Sequence, residues 1–257
     1  MKKLIALAAT AACGAALAVE SANIVGYATQ DVSGEGSVYN VAGFCFANVG
    51  LTGQAKFSDL TASGWDWESD ELRILNPANC ANSKVLMWLT KAEAQEFEVG
   101  DKAGWYDSTS VEYAGDMTFD LGSGFMTRFS STGIKFQYAG QVFDQAFTIP
   151  CANKVYVMIP NALPRTITAS EISATGWDWE SDELRILNPA NCANSKVLMW
   201  LTKAEAQEFE VGDKAGWYDS TSVEYAGDLS ILPGDGFMTR LSSDNVSINM
   251  PAVTPAE

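Results

Sequence analysis

Residues 64–116 read GWDWESDELRILNPANCANSKVLMWLTKAEAQEFEVGDKAGWYDSTSVEYAGD, and residues 176–228 repeat this stretch letter for letter. The flanks of the two copies differ while their centres do not. This period exceeds that of solenoid repeats, which run to about 20 to 50 residues, and it predicts a tandem pair of whole domains. Two explanations remain open: recent duplication without divergence, or two domains that must present the same surface to the same partner.

Residues 1–18 have the pattern of a secretory signal peptide. Lys2 and Lys3 form a charged start, and an apolar run with a small-residue cleavage site follows. A lipoprotein acylated at Cys13 is a competing interpretation, although Thr10 stands where an aliphatic residue is usual. No later segment reaches the run of about 18 apolar residues that a membrane helix needs. We therefore expect a secreted or cell-surface protein without a membrane span.

The chain is strongly acidic. It carries 32 acidic and 16 basic residues, a formal net charge of -16, and each identical copy holds eleven acids and four bases. Such a surface repels phosphate groups, so we expect neither nucleic acid nor anionic lipid as a partner. The apolar content of 47% is typical of a globular protein and not of a disordered acidic tail.

Short runs of β-branched and aromatic residues, bounded by Gly, Ser and Asn, predict strands throughout the mature chain. One short helix is predicted at residues 91–99, where Thr90 and Glu93 form a capping box and a glycine follows. No long helix alternates with strands, which disfavours a parallel α/β sheet. The sequence predicts an all-β fold with minor short helices, in two tandem antiparallel β-sandwich domains at residues 19–132 and 133–257. A single continuous β domain is the alternative.

Four cysteines remain after removal of the signal peptide, and an even number in an exported protein suggests two disulfides. We expect one bridge in each repeat, Cys45 to Cys80 and Cys151 to Cys192. Free thiols are the alternative, because Cys80 and Cys192 are equivalent by the repeat whereas Cys45 and Cys151 are not. The chain has no histidine and no CxxC pair, which argues against a structural zinc or a thioredoxin-like redox site.

An acidic cluster recurs in both copies. Carboxylates at alternating positions offer the oxygen ligands that calcium prefers, and calcium is the one cofactor that the sequence suggests. The pattern lacks the glycine and the terminal glutamate of an EF-hand loop, and a solvated acidic edge that discourages aggregation is the alternative. A carboxylate pair for glycoside hydrolysis could be drawn from the same residues, as from any acidic protein. The candidate ligands are Asp66, Glu68, Asp70, Asp178, Glu180 and Asp182.

All eight tryptophans lie in the identical copies. If GWDW is a strand, Trp65 and Trp67 share one face and Asp66 points to the other. Aromatic rings beside carboxylates could stack on sugar rings, and two identical domains would add avidity. The commoner place for tryptophan in a small β domain is the core. The candidate carbohydrate-binding residues are Trp65, Trp105, Trp177 and Trp217.

The pattern GxGFMTR occurs at residues 122–128 and again at residues 234–240. A phosphate cradle would need a helix after the glycines, whereas here a strand is predicted, so we expect no nucleotide binding. The absence of histidine excludes Ser-His-Asp and Cys-His catalysis. We therefore expect a protein that is not an enzyme.

The run SANIVGY near the mature N-terminus, the paired GxGFxxR strand starts and the duplicated centres resemble a group of exported bacterial two-repeat proteins. The resemblance spans the whole mature chain. It implies secretion and β-rich tandem domains, and it carries over no catalytic or binding residue.

These patterns favour a non-enzymatic structural or adhesive protein of the cell surface or extracellular matrix. A homo-oligomer or lattice is the expected assembly, and the first strand, within SANIVGYATQDV, could pair with the sheet edge of a neighbour. One alternative is a bivalent pair of carbohydrate-binding modules that recognises an extracellular glycan. Another is a calcium-stabilised pair of surface domains.

Overall fold

A computed structural model of the chain describes residues 25–32, 38–76, 83–143, 145–151, 156–187 and 195–252. The predicted signal peptide, Cys13, Cys80 and Cys192 lie outside these ranges. Within them, every strand pair is antiparallel and the α-helices are short. The predicted all-β antiparallel class is therefore confirmed.

The first repeat consists of β1 (Val25–Asp31), β2 (Val38–Gly43), β3 (Gln54–Lys56), β4 (Leu60–Ser63), β5 (Glu71–Ile74), β6 (Lys84–Leu89), α1 (Lys91–Glu96), β7 (Gly104–Asp107), β8 (Thr118–Asp120), β9 (Gly124–Phe129) and β10 (Lys135–Gln141). These strands form a five-stranded sheet in the order β2-β9-β5-β6-β7, a three-stranded sheet in the order β1-β10-β4, and the pair β3-β8.

The second repeat consists of β11 (Phe147–Pro150), β12 (Tyr156–Pro160), β13 (Ile167–Thr168), β14 (Ser173–Thr175), β15 (Glu183–Ile186), β16 (Lys196–Leu201), α2 (Lys203–Glu208), β17 (Gly216–Asp219), β18 (Ser230–Ile231), β19 (Gly236–Arg240) and β20 (Ser247–Met250). Its sheets have the same orders: β12-β19-β15-β16-β17, β11-β20-β14 and β13-β18. A 3-10 turn precedes the fourth strand of each repeat, at Phe57–Asp59 and Ala169–Glu171.

The division between the repeats falls later along the chain than the predicted boundary at residues 132 and 133. Strand β10 lies beyond that boundary, yet it pairs with β1 along seven residues and with β4 along four. Because these ladders belong to the first repeat, the structural division lies between Gln141, where β10 ends, and Phe147, where β11 begins.

All three sheets of a repeat contribute side chains to one core. In the first repeat, Phe125 of β9, Phe136 of β10 and Ala55 of β3 are fully buried, and the Phe136 ring meets those of Trp105, Phe125 and Phe129 edge to face. The second core, which includes Phe237 and Ile248, is mostly aliphatic. Burial of one such side chain contributes about 1.5 to 3 kcal/mol, so these clusters supply much of the stability.

The two cores exchange large and small residues at facing positions. On β3 and β8, Ala55 lies opposite Phe119, whereas on β13 and β18, Ile167 lies opposite Ile231. A small residue facing a large ring is thus replaced by two residues of middle size. The flanks of the identical blocks have therefore diverged at facing positions of the two cores.

Helix α1 begins where the capping box predicts and ends early. The Glu93 backbone N–H donates to Thr90 Oγ1 over 3.3 Å, and the Thr90 N–H donates to the Glu93 carboxylate over 2.7 Å. At the other end, Glu98 adopts a left-handed φ of 56°, and the N–H groups of Val99 and Gly100 both donate to the Ala94 carbonyl. The helix therefore ends at Glu96, three residues before the predicted end.

The repeats meet through the inner edges of their five-stranded sheets. Strand β2 contacts β12 and β19, and β12 contacts β2 and β9. Since β2 and β12 occupy the same place in each sheet, as do β9 and β19, these contacts are reciprocal, as in an isologous dimer interface. A Cβ at Gly43 would lie 2.5 Å from the Pro160 side chain, so only glycine allows this close approach.

Candidate functional site

The GWDW motif is a turn and not the predicted strand. Residues 67–69 form the turn, in which Asp66 accepts hydrogen bonds from the Glu68 N–H over 3.0 Å and from Ser69 Oγ over 2.9 Å. The predicted common face of the two tryptophans is therefore wrong. Trp65 packs against the main core, whereas Trp67 packs in a separate small cluster beside α1.

The candidate carbohydrate platforms are core residues. Trp105 and Trp217 are 0% and 1% exposed, and their Nε1 atoms donate to the carbonyls of Leu60 and Ile172 over 2.8 and 3.1 Å. Their predicted role as sugar platforms is therefore wrong, because a ligand cannot reach a buried ring. The two other candidates pack edge to face on these rings, with centroid distances of 5.1 Å for Trp65 and 5.0 Å for Trp177.

The buried aspartate of the acidic cluster joins two chain segments. The Asp70 side chain accepts from the N–H groups of Asp66, Ser130 and Ser131 over 2.8 to 3.0 Å, and Asp182 makes the same three bonds in the second repeat. Asp70 is 2% exposed, whereas Glu68 is exposed. These carboxylates therefore hold the turn after Gly64 against the end of β9.

Among the residues that the structure describes, no group of three or more His, Cys, Asp or Glu side chains is arranged to hold a metal ion. The predicted calcium ligands Asp66 and Asp70 use their carboxylate oxygens for backbone and hydroxyl groups of the chain itself. The same holds for Asp178 and Asp182. In neither repeat does the structure arrange the three candidate ligands (Asp66, Glu68 and Asp70, or Asp178, Glu180 and Asp182) as a calcium site.

Cys45 and Cys151 are buried free thiols, so the two predicted disulfides are not formed. Burial raises the pKa of the Cys45 thiol to about 12 and that of Cys151 to about 11, which keeps both protonated and unreactive. The two cysteines also occupy different places in the repeat. Cys45 follows β2 and Cys151 follows β11, so one bridging pattern could not serve both repeats.

The second GxGFMTR segment lies at the contact between the repeats. No pattern in the sequence predicted this position. The Gly234 carbonyl accepts from the Gly43 N–H over 3.0 Å. The Gln30 side-chain amide donates to Asp235 Oδ1, and Tyr138 Oη donates to Gln30 Oε1 over 2.8 Å. A strand follows the glycines, as expected. Gln30 and Asp235 are 205 residues apart along the chain, so no local sequence signal could have revealed this hydrogen bond.

A cavity of about 380 Å³ lies beside this network and is lined by residues of both repeats, including Asp31, Asn40, Ser230 and Asp235. Burial raises the pKa of Asp235 from 3.8 to about 6. The first repeat has Ser123 where the second has Asp235. The Asp235 carboxylate therefore has no counterpart at the equivalent position of the first repeat.

Replacing Asp235 with asparagine should remove one component of the pH dependence of stability. Because the folded-state pKa is raised, stability from this group is fully present below about pH 4 and is lost as the pH rises through about 6. Asparagine stays neutral and can still accept from Gln30. We expect the variant to be more stable than the wild type by about 1 to 3 kcal/mol at pH 7, and equal to it below about pH 4.

Denaturant unfolding of both proteins at several pH values measures this difference. The comparison with the wild type is needed because other groups act in the opposite sense. The side-chain hydrogen bond from Arg165, for example, lowers the pKa of Glu171, so that stability from Glu171 is lost as the pH falls. A difference between variant and wild type that stays constant from about pH 4 to about pH 7 would contradict the assignment to Asp235.

The small cluster beside α1 forms an exposed apolar groove, which we call the end groove. It has a volume of about 370 Å³ and is lined by Trp67, Met87, Phe97, Val99, Ser108 and Val111. The rings of Trp67 and Phe97 meet edge to face at 4.7 Å, and Phe97 is 37% exposed. Every lining residue lies in the first identical block.

The backbone at Val111 is strained. Its φ of 59° lies in the left-handed region, which a β-branched residue rarely adopts and which costs about 1 to 3 kcal/mol. The turn is held by Asp107, whose Oδ1 accepts from the N–H groups of Thr109 and Ser110 over 2.9 and 3.1 Å. Val223 repeats the strain with a φ of 57°. This geometry places an apolar residue in the wall of the groove.

The second repeat has the same arrangement of rings. Trp179 and Phe209 meet at 4.7 Å, and Phe209 is 38% exposed. In each five-stranded sheet the strands next to the groove, β7 and β17, are four strand spacings, or about 19 Å, from the inner strands β2 and β12. The ring pair of the end groove is thus present once in each repeat, and because the lining residues are letter-identical we expect the same groove in the second repeat.

Comparison with protein-family models gives no match, and comparisons with curated proteins and with solved structures give none either. None of the helices in the described ranges has the length and apolar character that a bilayer span requires.

Proposed function

We propose that this chain is an exported, non-enzymatic protein of the cell surface or extracellular matrix, with a structural or adhesive role. It acts through two tandem sandwich-type domains that present the same surface twice. The N-terminal signal pattern supports export. The acidic composition supports a protein that stays soluble outside the cell and avoids nucleic acid and anionic lipid.

One observation carries this proposal: the identical blocks build the same ring pair at the outer part of each repeat, while strands β2 and β12, which lie at the contact between the repeats, differ in sequence. Trp67 with Phe97, and Trp179 with Phe209, have the same ring geometry. At the contact, in contrast, Ser123 of one repeat corresponds to Asp235 of the other. The amino-acid sequence is identical in the two repeats at this outer surface, as expected if both repeats make the same kind of contact with a partner.

The chain's chemistry supports a role without catalysis. It contains no histidine, so any general base would have to be a carboxylate, lysine or tyrosine. The buried carboxylates Asp70 and Asp182 are occupied by backbone N–H groups, and the thiols of Cys45 and Cys151 are held protonated by burial.

Self-association through β1 is part of the proposal. This strand is at one edge of its three-stranded sheet, with β10 as its neighbour, and Tyr27 on it is 65% exposed. Deleting β1 is not a suitable test, because it pairs with β10 along seven residues and contains the buried Gln30. Its removal would unfold the repeat instead of leaving folded monomers.

A sharper test introduces two lysines on the exposed face of β1. In the chain from residue 19 onward, light scattering and electron microscopy should show oligomers or a lattice that the variant carrying Tyr27→Lys and Thr29→Lys does not form, since charge on an edge strand opposes strand pairing. Thr61→Lys on β4, the opposite edge of the same sheet, is the matched control. A wild-type chain that stays monomeric at all concentrations would remove the self-association.

Export needs its own measurement. Expression of the full chain in a Gram-negative host should place the protein outside the cytoplasm with residues 1–18 removed, and mass spectrometry of the mature N-terminus distinguishes cleavage near residue 19 from acylation at Cys13. Retention of the full chain in the cytoplasm would overturn the proposed location.

A further inference from the structure

We propose that each end groove binds a cationic amphipathic polypeptide segment of a partner protein, with an apolar side chain seated in the groove and lysine or arginine residues beside it. This inference rests on the proposed function, because it names the partner class that the doubled surface would hold. It identifies the partner by chemistry: an apolar anchor flanked by positive charge.

The apolar part of the argument is the exposed pair of rings. Phe97 is the C-cap residue of α1 and stays 37% exposed while it packs against Trp67. Val99 and Val111 line the same groove. Aromatic residues in a concave surface patch are typical anchors of protein interfaces, because a partner side chain that fills the groove removes their remaining apolar area from water.

The charged part of the argument is the rim. Acidic residues directly follow or flank the groove residues along the chain, and all of them are exposed. Glu68 follows Trp67, Glu96 and Glu98 flank Phe97, and Glu112 follows Val111. The rim residues are Glu68, Glu96, Glu98 and Glu112.

Three of the four bases in the block are engaged by other groups. Arg73 pairs with Glu71 over 2.6 Å, Lys84 pairs with Asp107 over 3.6 Å, and Lys102 lies over the Tyr113 ring at 5.6 Å. The block as a whole carries eleven acids against these four bases. Charge complementarity selects a basic partner and repels an acidic one, and that includes a second copy of this acidic chain.

Two equivalent grooves give two sites per chain. Their lining and rim residues are letter-identical, so their intrinsic affinities should be equal. A partner that displays several basic amphipathic segments would be held by both sites at once, with an avidity above either affinity.

The test uses the chain from residue 19 onward and a fluorescein-labelled peptide of alternating lysine and leucine. Fluorescence anisotropy and calorimetry should give two equal sites. Phe97→Ser should reduce the stoichiometry to one, Phe209→Ser alone should do the same, and the double variant should lose at least about tenfold in affinity. Val49→Ser, which removes an exposed apolar side chain outside the grooves and outside β1, is the matched control and should keep two sites.

A second set of variants guards against misfolding of the serine variants. Glu68→Gln, Glu96→Gln and Glu98→Gln, with the corresponding changes at Glu180, Glu208 and Glu210, alter exposed side chains only. They should weaken peptide binding about tenfold and reduce its salt dependence, because the complementary charge is lost while the apolar groove is kept.

Three results would overturn the inference. The first is unchanged peptide binding by both the serine and the glutamine variants. The second is equal binding of an all-lysine peptide of the same length, which would show attraction to acidic charge without use of the groove. The third is self-association of the chain that Phe97→Ser with Phe209→Ser abolishes, since a second copy would then be the occupant.

The outcome is separable from that of the proposed function. Peptide binding with two sites by a chain that is not exported would leave this inference standing and remove the proposed location. An exported, self-associating chain that ignores the lysine and leucine peptide would do the reverse.

Discussion

Replacing Asp70 with alanine should lower the free energy of unfolding by about 2 to 4 kcal/mol, the first of two large effects that we expect. The side chain is 2% exposed and accepts hydrogen bonds from the N–H groups of Asp66, Ser130 and Ser131. Alanine leaves these three donors without their acceptor. Because the hydrogen bonds are only partly buried, water can replace some of them, which limits the loss.

Asp182→Ala is the matched variant, since Asp182 accepts the equivalent three hydrogen bonds within the second repeat. Denaturant unfolding, followed by tryptophan fluorescence, should show a similar loss for both. Asp70→Asn keeps one acceptor oxygen and should lose less than alanine does. If Asp70→Ala unfolded at the wild-type denaturant concentration, the turn would not depend on this carboxylate.

Trp105→Ala should lower the free energy of unfolding by about 3 to 5 kcal/mol, because it removes the largest buried side chain of the first core and leaves a cavity. The indole packs edge to face with Trp65 at 5.1 Å and with Trp88 at 5.3 Å, and its Nε1 donates to the Leu60 carbonyl. Alanine removes these contacts and leaves that carbonyl without its donor.

The informative comparison is Trp217→Ala, in which the same residue of the identical block is removed from a more aliphatic core. Both variants should lose stability by several kcal/mol, and unfolding measured by circular dichroism should show whether one repeat melts before the other. A loss below about 1 kcal/mol for either variant would contradict the core role of these indoles and reopen their use as binding platforms.

Local patterns in the sequence were sufficient for the strand-rich fold and for the start of α1. The capping box needs only Thr90 and Glu93, three residues apart, and its two hydrogen bonds form as expected. The helix end was not predictable from composition. It depends on the left-handed conformation of Glu98, a residue with no intrinsic preference for it.

Local patterns failed where a short polar side chain competes with strand pairing. The GWDW motif alternates as a strand does, yet the Asp66 carboxylate caps the following turn instead. Trp65 and Trp67 consequently face different clusters. Once that turn is known, the burial of Trp105 and the exposure of the groove beside Phe97 follow from the packing.

Contacts between residues far apart in the chain could not be predicted from hydrophobic periodicity, which reports only on neighbouring residues. The hydrogen bond between Gln30 and Asp235 joins β1 to the residue before β19, and these are adjacent only because the repeats dock. The extension of the first repeat to β10 is of the same kind, since β10 finds its partners β1 and β4 far back along the chain. The repeated sequence predicts two similar units but not the contact between them.

The exchange of large and small residues between the two cores bears on how the chain avoids misassembly. Strands β5 and β15 are identical in sequence, and so are the GFMTR segments of the neighbouring strands β9 and β19, so these strands do not themselves distinguish a partner in their own repeat from one in the other. The strand pairs in the flanks, β3 with β8 and β13 with β18, are not interchangeable in this way. Phe119 lies opposite the small Ala55, whereas Ile231 lies opposite Ile167. Pairing of β13 with β8 would place Ile167 against Phe119, and pairing of β3 with β18 would place Ala55 against Ile231. The divergent flanks, and not the identical blocks, therefore favour the correct strand partners.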